Sequence, residues 1–91
     1  AVVVEDCASA ASISNFATGV ALLGTYLQED VLYRLGSFKR ITVALDKDAT
    51  DKAVEISLRI NNEYGDIVDI AILDRDLKRL TEDEAKEVLK I

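Results

Sequence analysis

The sequence predicts an α/β domain built on a four-stranded, mainly parallel sheet with helices on both faces. Three observations lead there. Short runs of Val, Ile, Leu and Ala recur with little polar alternation, as expected of strands buried on both faces. Between them lie stretches with apolar residues at helical spacing, so strand and helix alternate in the order that makes parallel sheets. Three of the four runs also end in carboxylates: Glu5-Asp6, Asp46-x-Asp48 and Asp74-x-Asp76.

Val2-Val3-Val4 is the first strand, and it runs straight into Glu5 and Asp6. Residues 7–16 are rich in Ala and Ser without a breaker, which predicts a helix whose small side chains let it lie close to the sheet. Asp6 suits its N-cap, where a carboxylate meets unpaired backbone N–H groups and the positive helix end. A second short strand is expected over residues 19–23, followed by Gly24-Thr25, where glycine permits a close approach or an unusual backbone angle. Residues 26–35 carry Leu27, Val31, Leu32 and Leu35 at helical spacing, with Gly36 as the stop. Lys39 and Arg40 then lead into the next strand and read as solvated residues at the end away from the acids.

The central strand is Ile41-Thr42-Val43-Ala44-Leu45, closed by Asp46-Lys47-Asp48. Residues 49–62 present Ala53, Ile56 and Ile60 on one face and Lys52, Glu55 and Arg59 on another, with Glu55 and Arg59 spaced for an i,i+4 pair. A turn is expected over residues 61–66 and a fourth strand over 67–73, broken only by Asp69. Thr81-Glu82-Asp83-Glu84 matches a capping box that opens the last helix through Ala85, Val88 and Leu89, and its acidic start with Lys86 and Lys90 near its end suits the helix dipole.

Composition narrows the chemistry. The 91 residues are expected to form a single domain, residues 1–91, and the absence of Met suggests a piece of a longer protein. No apolar run is long enough to cross a membrane as a helix. There is no His and one cysteine, Cys7, so an internal disulfide, a Cys/His zinc site and a His-dependent triad are excluded within this sequence. Carboxylates are left to carry chemistry. At a net charge of −6 the domain repels a phosphate backbone on average, so any nucleic-acid contact has to run through bound metal, a local basic patch or neighbouring domains.

Taken alone, an acidic pair such as Asp46-x-Asp48 reads better as a solvated turn with an Asp cap, since Asp is common after strands. Together the three pairs say more, because a parallel sheet gathers them at its carboxyl edge, where open α/β sheets bind ligands. Crowded carboxylates repel one another, and a hard cation such as Mg²⁺ relieves the repulsion through oxygen ligands. Lys47, between the two aspartates, is placed either to touch a phosphate or to face solvent.

Val-Val-Val-Glu5 before a small-residue helix, Ala21-Leu22-Leu23-Gly24-Thr25, and Val43-Ala44-Leu45-Asp46-Lys47-Asp48 together resemble the Toprim domain of primases, topoisomerases and several nucleases, over nearly the whole chain. Asp76-Leu77-Lys78 leading into Thr81-Glu82-Asp83-Glu84 is most similar to the acidic loop and last helix of phage-type DNA primases. The resemblance implies a Rossmann-like Toprim fold and Mg²⁺-dependent (or Mn²⁺-dependent) nucleotidyl transfer that makes RNA primers on a DNA template. Glu5 matches the family's acidic residue taken as general acid or base and as a metal contact. Asp46 and Asp48 match the metal-binding pair, and Asp76 with Asp74 matches the motif that completes the metal cluster. The catalytic set is thus Glu5, Asp46 and Asp48, and the metal set adds Asp76 and Asp74.

The implied partners are a DNA template and nucleoside triphosphates, reached through neighbouring domains, and a replicative helicase, in a cytoplasmic setting with no membrane. Three departures stand out: Asp6 and Ser9 replace the Gly and Asp that many bacterial primases carry after the glutamate, Ala49-Thr50-Asp51 replaces an Ala-Gly step, and Leu77 stands where proline is common. Alternative readings are a nuclease or topoisomerase module, a catalytically inactive interaction domain, and a phospho-acceptor receiver, which would need a further strand and helix. A topoisomerase would also need a nucleophilic tyrosine from among Tyr26, Tyr33 and Tyr64.

Overall fold

The structure, a computed structural model, describes residues 1–22 and 27–90. Four strands, β1 (Val2–Val4), β2 (Gly19–Ala21), β3 (Ile41–Asp46) and β4 (Val68–Leu73), form one sheet in the order β2-β1-β3-β4. Every neighbouring pair is parallel, with Val3 beside Val20 on one side and Val43 on the other, and Asp46 beside Leu73. The expected α/β fold with a parallel sheet is therefore the observed one. The expected extension of the second strand to Leu23, the Gly24-Thr25 step and Tyr26 lie outside the described residues.

Side-chain alternation along the strands divides the core in two. On one face Val3, Ile41, Val43 and Leu45 pack with Leu32 and Leu35 of α2 (Glu29–Leu35) and with Ile56 and Ile60 of α3 (Thr50–Tyr64). On the other, Val2, Val4, Ala44, Ala71 and Leu73 pack with Ile13, Leu77, and Ala85 and Leu89 of α4 (Glu82–Leu89). Helices thus cover both faces. No helix among the described residues is long and apolar enough to cross a membrane.

The first helix, α1 (Cys7–Ser12), begins as the sequence suggests: the Ser9 N–H donates to Asp6 Oδ1 at 2.8 Å. It ends four residues before the expected Phe16. Ser12 turns its hydroxyl onto the Ser9 carbonyl at 2.7 Å, and Ile13 leaves the helical path to enter the core, so the polar Ser14-Asn15 segment becomes a turn. The small residues do bring α1 onto the sheet. A Cβ on Gly19 would stand 2.7 Å from the Ala10 Cα and 2.9 Å from its carbonyl oxygen, backbone that cannot move aside cheaply. Gly19→Val is accordingly expected to cost about 1–3 kcal/mol by overpacking; an unchanged urea midpoint would contradict this α1–β2 contact.

The second helix starts at Glu29 rather than in the region of Tyr26, because Gln28 is extended at its N-cap and the Arg59 guanidinium holds the Leu27 carbonyl just before it. Arg59 also reaches Glu29 at 2.9 Å, so it ties α3 to α2 instead of forming the expected pair with Glu55. Gly36 closes α2 with an ordinary helical backbone. It is small for a different reason, since a Cβ there would stand 2.6 Å from the Tyr64 ring.

After β3 a 3₁₀ turn covers residues 47–49 before α3 begins, and α3 continues to Tyr64 where a turn from residue 61 was expected. Asn61 keeps its turn-forming role from within the helix: its Oδ1 accepts from the Ile67 and Val68 N–H groups at 3.1 and 3.2 Å, locking the entry to β4. Arg40, expected to be solvated, pairs with Asp69 across the start of β3 and β4. The Thr81–Glu84 capping box is complete, with bonds of 2.9 and 3.2 Å.

Candidate functional site: a carboxylate edge

The parallel register carries all three acidic pairs to one end of the sheet. Asp46 is the last residue of β3, Asp74 follows the last residue of β4, and Glu5 follows the last residue of β1. The chain steps from β1 outward to β2, then returns to the other side of β1 for β3, so the switch in strand order falls between β1 and β3. Glu5 and Asp46 flank that point.

Glu5 is held above the usual carboxylate range, first by partial desolvation at the edge, then by the negative charges of Asp46 and Asp6. Lys52, on the first turns of α3, pulls the other way. Asp6 behaves oppositely: the Ser9 N–H bond, aided by Lys78, lowers its pKa. Glu84 is lowered too, chiefly by its bond from the Thr81 backbone.

The signs set the stability profile. Because folding raises the Glu5 pKa, its favourable contribution is full below the ordinary Glu value and is lost as pH rises through the folded value. Asp6 and Glu84, with lowered pKa values, contribute above their unfolded values and lose that contribution as pH falls through the folded ones. In metal-free buffer Glu5→Gln should therefore melt higher than wild type near neutrality and coincide with it at about pH 3.5, below the ordinary Glu range. A lower melting temperature for Glu5→Gln at neutrality would contradict the crowding at this edge.

At this edge lies a cleft of about 250 Å³ lined by Asp46, Lys47, Asp48, Leu73, Asp74, Arg75, Asp76 and Arg79. Four of the five site residues read from the sequence thus share one cleft, and Glu5 stands outside its lining, at the end of the neighbouring strand β1. The 3₁₀ turn after β3 presents Asp48, and its shape is fixed by the Thr50 hydroxyl donating to the Lys47 carbonyl at 2.7 Å. Asp76 stands differently from the others, with its Oδ2 4.0 Å from Lys78 Nζ and 3.9 Å from Arg79 Nε. Lys78 also reaches Asp6 at 3.7 Å, joining α1 to the loop after β4.

Among the described residues, no three acidic side chains stand close enough to enclose an ion as they are placed. The donor set nevertheless fits Mg²⁺ or Mn²⁺, which bind through one or two carboxylates and retain several waters. Glu5 and Asp46, at the ends of neighbouring strands, offer hard oxygen donors whose like charges a cation would offset, and Asp48 lies one short turn beyond Asp46.

A larger groove of about 910 Å³ lies elsewhere on the molecule, between the sheet and α4. It contains Val2, Thr18, Thr42, the Arg40–Asp69 pair and Leu89, and none of the predicted site residues. Its carboxylates are few and Asp69 is paired with Arg40, so the acidic residues read from the sequence gather at the smaller cleft and not here.

The sequence reading passed over Arg75 and Arg79. The signal was present in Asp74-Arg75-Asp76-Leu77-Lys78-Arg79, where bases alternate with the acids of a single loop. Compared with protein-family models, with curated proteins and with solved structures, the chain finds no match in any of the three.

Proposed function

We propose that this chain is the Toprim catalytic domain of a phage-type DNA primase, which joins nucleoside triphosphates into RNA primers on a DNA template. The observation that carries the reading is the gathering of Asp46, Asp48, Asp74 and Asp76 in one cleft at the carboxyl edge of the sheet, with Glu5 at the end of the neighbouring strand β1. The sequence resemblance supplies the reaction; the shared edge supplies a place for it.

In this reading Glu5, Asp46 and Asp48 would hold Mg²⁺ or Mn²⁺, with Asp74 and Asp76 completing the set, and the ions would supply electrostatic stabilisation of the charge that develops on the transferring phosphoryl group. The chain's own residues do the rest. Glu5, the residue the resemblance gives as general acid or base, accepts the proton of the attacking 3′-hydroxyl. The new bond joins that oxygen to the α-phosphorus, the bond to pyrophosphate breaks, and the crowded carboxylates fix the reacting groups at the sheet edge. Template and nucleotides arrive through neighbouring domains, since a net charge of −6 opposes the approach of a phosphate backbone. The setting is cytoplasmic, and a replicative helicase is the natural partner.

A topoisomerase reading gains nothing from the tyrosines that are described. The Tyr64 hydroxyl donates to the Leu32 carbonyl at 2.7 Å, and Tyr33 lies near the end of α2; both helices end where β3 and β4 begin, away from the carboxylate edge.

The direct test joins this domain to a template-binding domain and assays short oligoribonucleotides on single-stranded DNA with Mg²⁺, Mn²⁺ or chelator. The expected result is synthesis with either metal and none with chelator, and only trace synthesis by the 91-residue domain alone. Synthesis that persists in chelator would overturn the assignment.

A further inference from the structure

We propose that the free edge of β4, with the flank of α3 beside it, is an association surface for a second copy of this chain, the two β4 strands pairing antiparallel about a twofold axis at Ala71. This surface runs along the outer strand of the sheet and does not depend on the function proposed above. It shows itself as an apolar strip. Of the five large hydrophobic side chains exposed among the described residues, Val54, Leu58, Ile70 and Ile72 stand on this one side of the molecule, and Tyr33 alone stands elsewhere.

Helix and strand turn these side chains the same way. Asn61 of α3 bonds to the start of β4, whereas Arg59 bonds to Leu27 and Glu29 on the α2 side, so one flank of α3 faces β4 and the other faces α2. Val54, Leu58 and Asn61 follow one another at i, i+4 and i+7 and share the β4 flank. On β4 the side chains alternate: Ala71 and Leu73 enter the core beneath α4, while Val68 packs in the α3 cluster, and Ile70 and Ile72 therefore stand on the α3 face with it. The backbone of this edge is open as well. The Ile41 N–H donates to the Ile67 carbonyl at 3.0 Å and the register runs unbroken from Ile41–Val68 to Asp46–Leu73, so the odd-numbered residues of β4 bond to β3 while Ile70 and Ile72 turn their N–H and carbonyl groups outward. The Val68 N–H is already held by Asn61. β4 has no Pro, no Lys and no bulge, the devices that keep sheet edges apart, and its one charge, Asp69, is paired with Arg40.

Pattern and charge select the occupant. Ile70-Ala71-Ile72 reads the same in both directions, so a twofold at Ala71 sets Ile70 of each copy opposite Ile72 of the other, each pair exchanging both hydrogen bonds, with Ala71 facing Ala71. Val54 and Leu58 of both copies then close over the isoleucines on the α3 face. On the opposite face the charges match. Asp69 lines the groove under α4, and Arg75 bonds to Glu84 of α4 at 3.0 Å, so both point to the α4 side. In this register Asp69 of one copy and Arg75 of the other become diagonal neighbours, opposite in sign and repeated by the twofold, whereas parallel pairing would set Asp69 beside Asp69. A strand from an unrelated protein would meet the same backbone, but the palindrome and the exchange of Asp69 for Arg75 fit this chain to itself. Because both copies use the same edge, the contact closes as a dimer and does not propagate.

The test is sedimentation equilibrium of the 91-residue protein from micromolar to millimolar concentration, with amide hydrogen exchange on the same samples. One strand and one helix flank make an interface near or below the low end of the specific class, about 1,200 Å² in total, so the expected dimer is weak and forms in the upper part of that range. Leu58→Glu and Ile72→Lys should each weaken it about tenfold or more, since each puts a charge into an apolar seam and the twofold enters it twice. Tyr33→Ser, on α2, should leave it unchanged. As concentration rises, the Ile70 and Ile72 amides should gain protection by more than the Val68 amide does. Leu58→Glu changes an exposed position on α3 and leaves β4 untouched, so it carries the test even where Ile72→Lys disturbs folding. A monomer at every concentration, a dimer indifferent to Leu58→Glu, or a dimer in which the Ile70 and Ile72 amides gain no protection would overturn the proposal.

Discussion

Alanine at position 46 is expected to reduce metal-dependent primer synthesis to background while leaving the fold intact or steadier. Asp46 ends the central strand, pairs in register with Leu73, and raises the Glu5 pKa through its charge. Its side chain makes no capping bond to the turn that follows, so the turn does not depend on it. In the proposed function removing it would take away a metal donor; it also removes the strongest single charge acting on Glu5, and in metal-free buffer the relief of repulsion favours the folded state. Synthesis assays and melting curves on the same variant separate the possibilities. Loss of synthesis with an unchanged or higher melting temperature is the expected pair of results. Loss of both would make the acid structural, and undiminished synthesis would move the chemistry to another domain.

Leu77→Ala should have the largest effect on stability of any change near the site, about 2–5 kcal/mol, in a domain whose whole stability is expected to be about 5–15 kcal/mol. Leu77 is 1 % exposed and plugs the cluster formed by Val2, Val4, Ile13, Leu73, Ala85 and Leu89. It stands between Asp76 and the Lys78-Arg79 pair, in a 3₁₀ turn closed by the Arg79 N–H on the Asp76 carbonyl at 2.9 Å. The same side chain therefore holds one wall of the cleft against the core. Urea unfolding of Leu77→Ala and Leu77→Met should show the alanine falling by the stated amount and the methionine, close in volume, by less than about 1.5 kcal/mol. Equal, small losses in both would mean that the loop does not depend on its anchor.

The fold was legible because its strands advertise double burial. Val2-Val3-Val4 and Ile41-Thr42-Val43-Ala44-Leu45 have no room for polar alternation, and the order of strands and helices left a parallel sheet as the simple solution. Helix ends were harder to read. The helix after Asp6 stops early because Ile13 is claimed by the core, and the one before Gly36 starts late because Arg59, about thirty residues downstream, holds its entry. No local pattern records such long-range partners. The acidic residues could be assigned to one edge from topology alone, since parallel strands put equivalent ends together. The influence of Asp46 on Glu5 and the facing cations Arg75 and Arg79 depend on register and on loop shape, which spacing in sequence does not fix.

The proposed function depends on a divalent-metal site at the carboxyl edge of the sheet. Titrating Mn²⁺ into isotopically labelled protein and mapping paramagnetic broadening of backbone amide signals tests it most directly. Broadening should centre on Glu5, Asp46, Lys47 and Asp48, extend to Asp74 and Asp76, spare Arg40 and Tyr64 at the opposite end, and vanish in Asp46→Asn combined with Asp48→Asn. Broadening centred elsewhere, or unchanged in that double variant, would contradict the account.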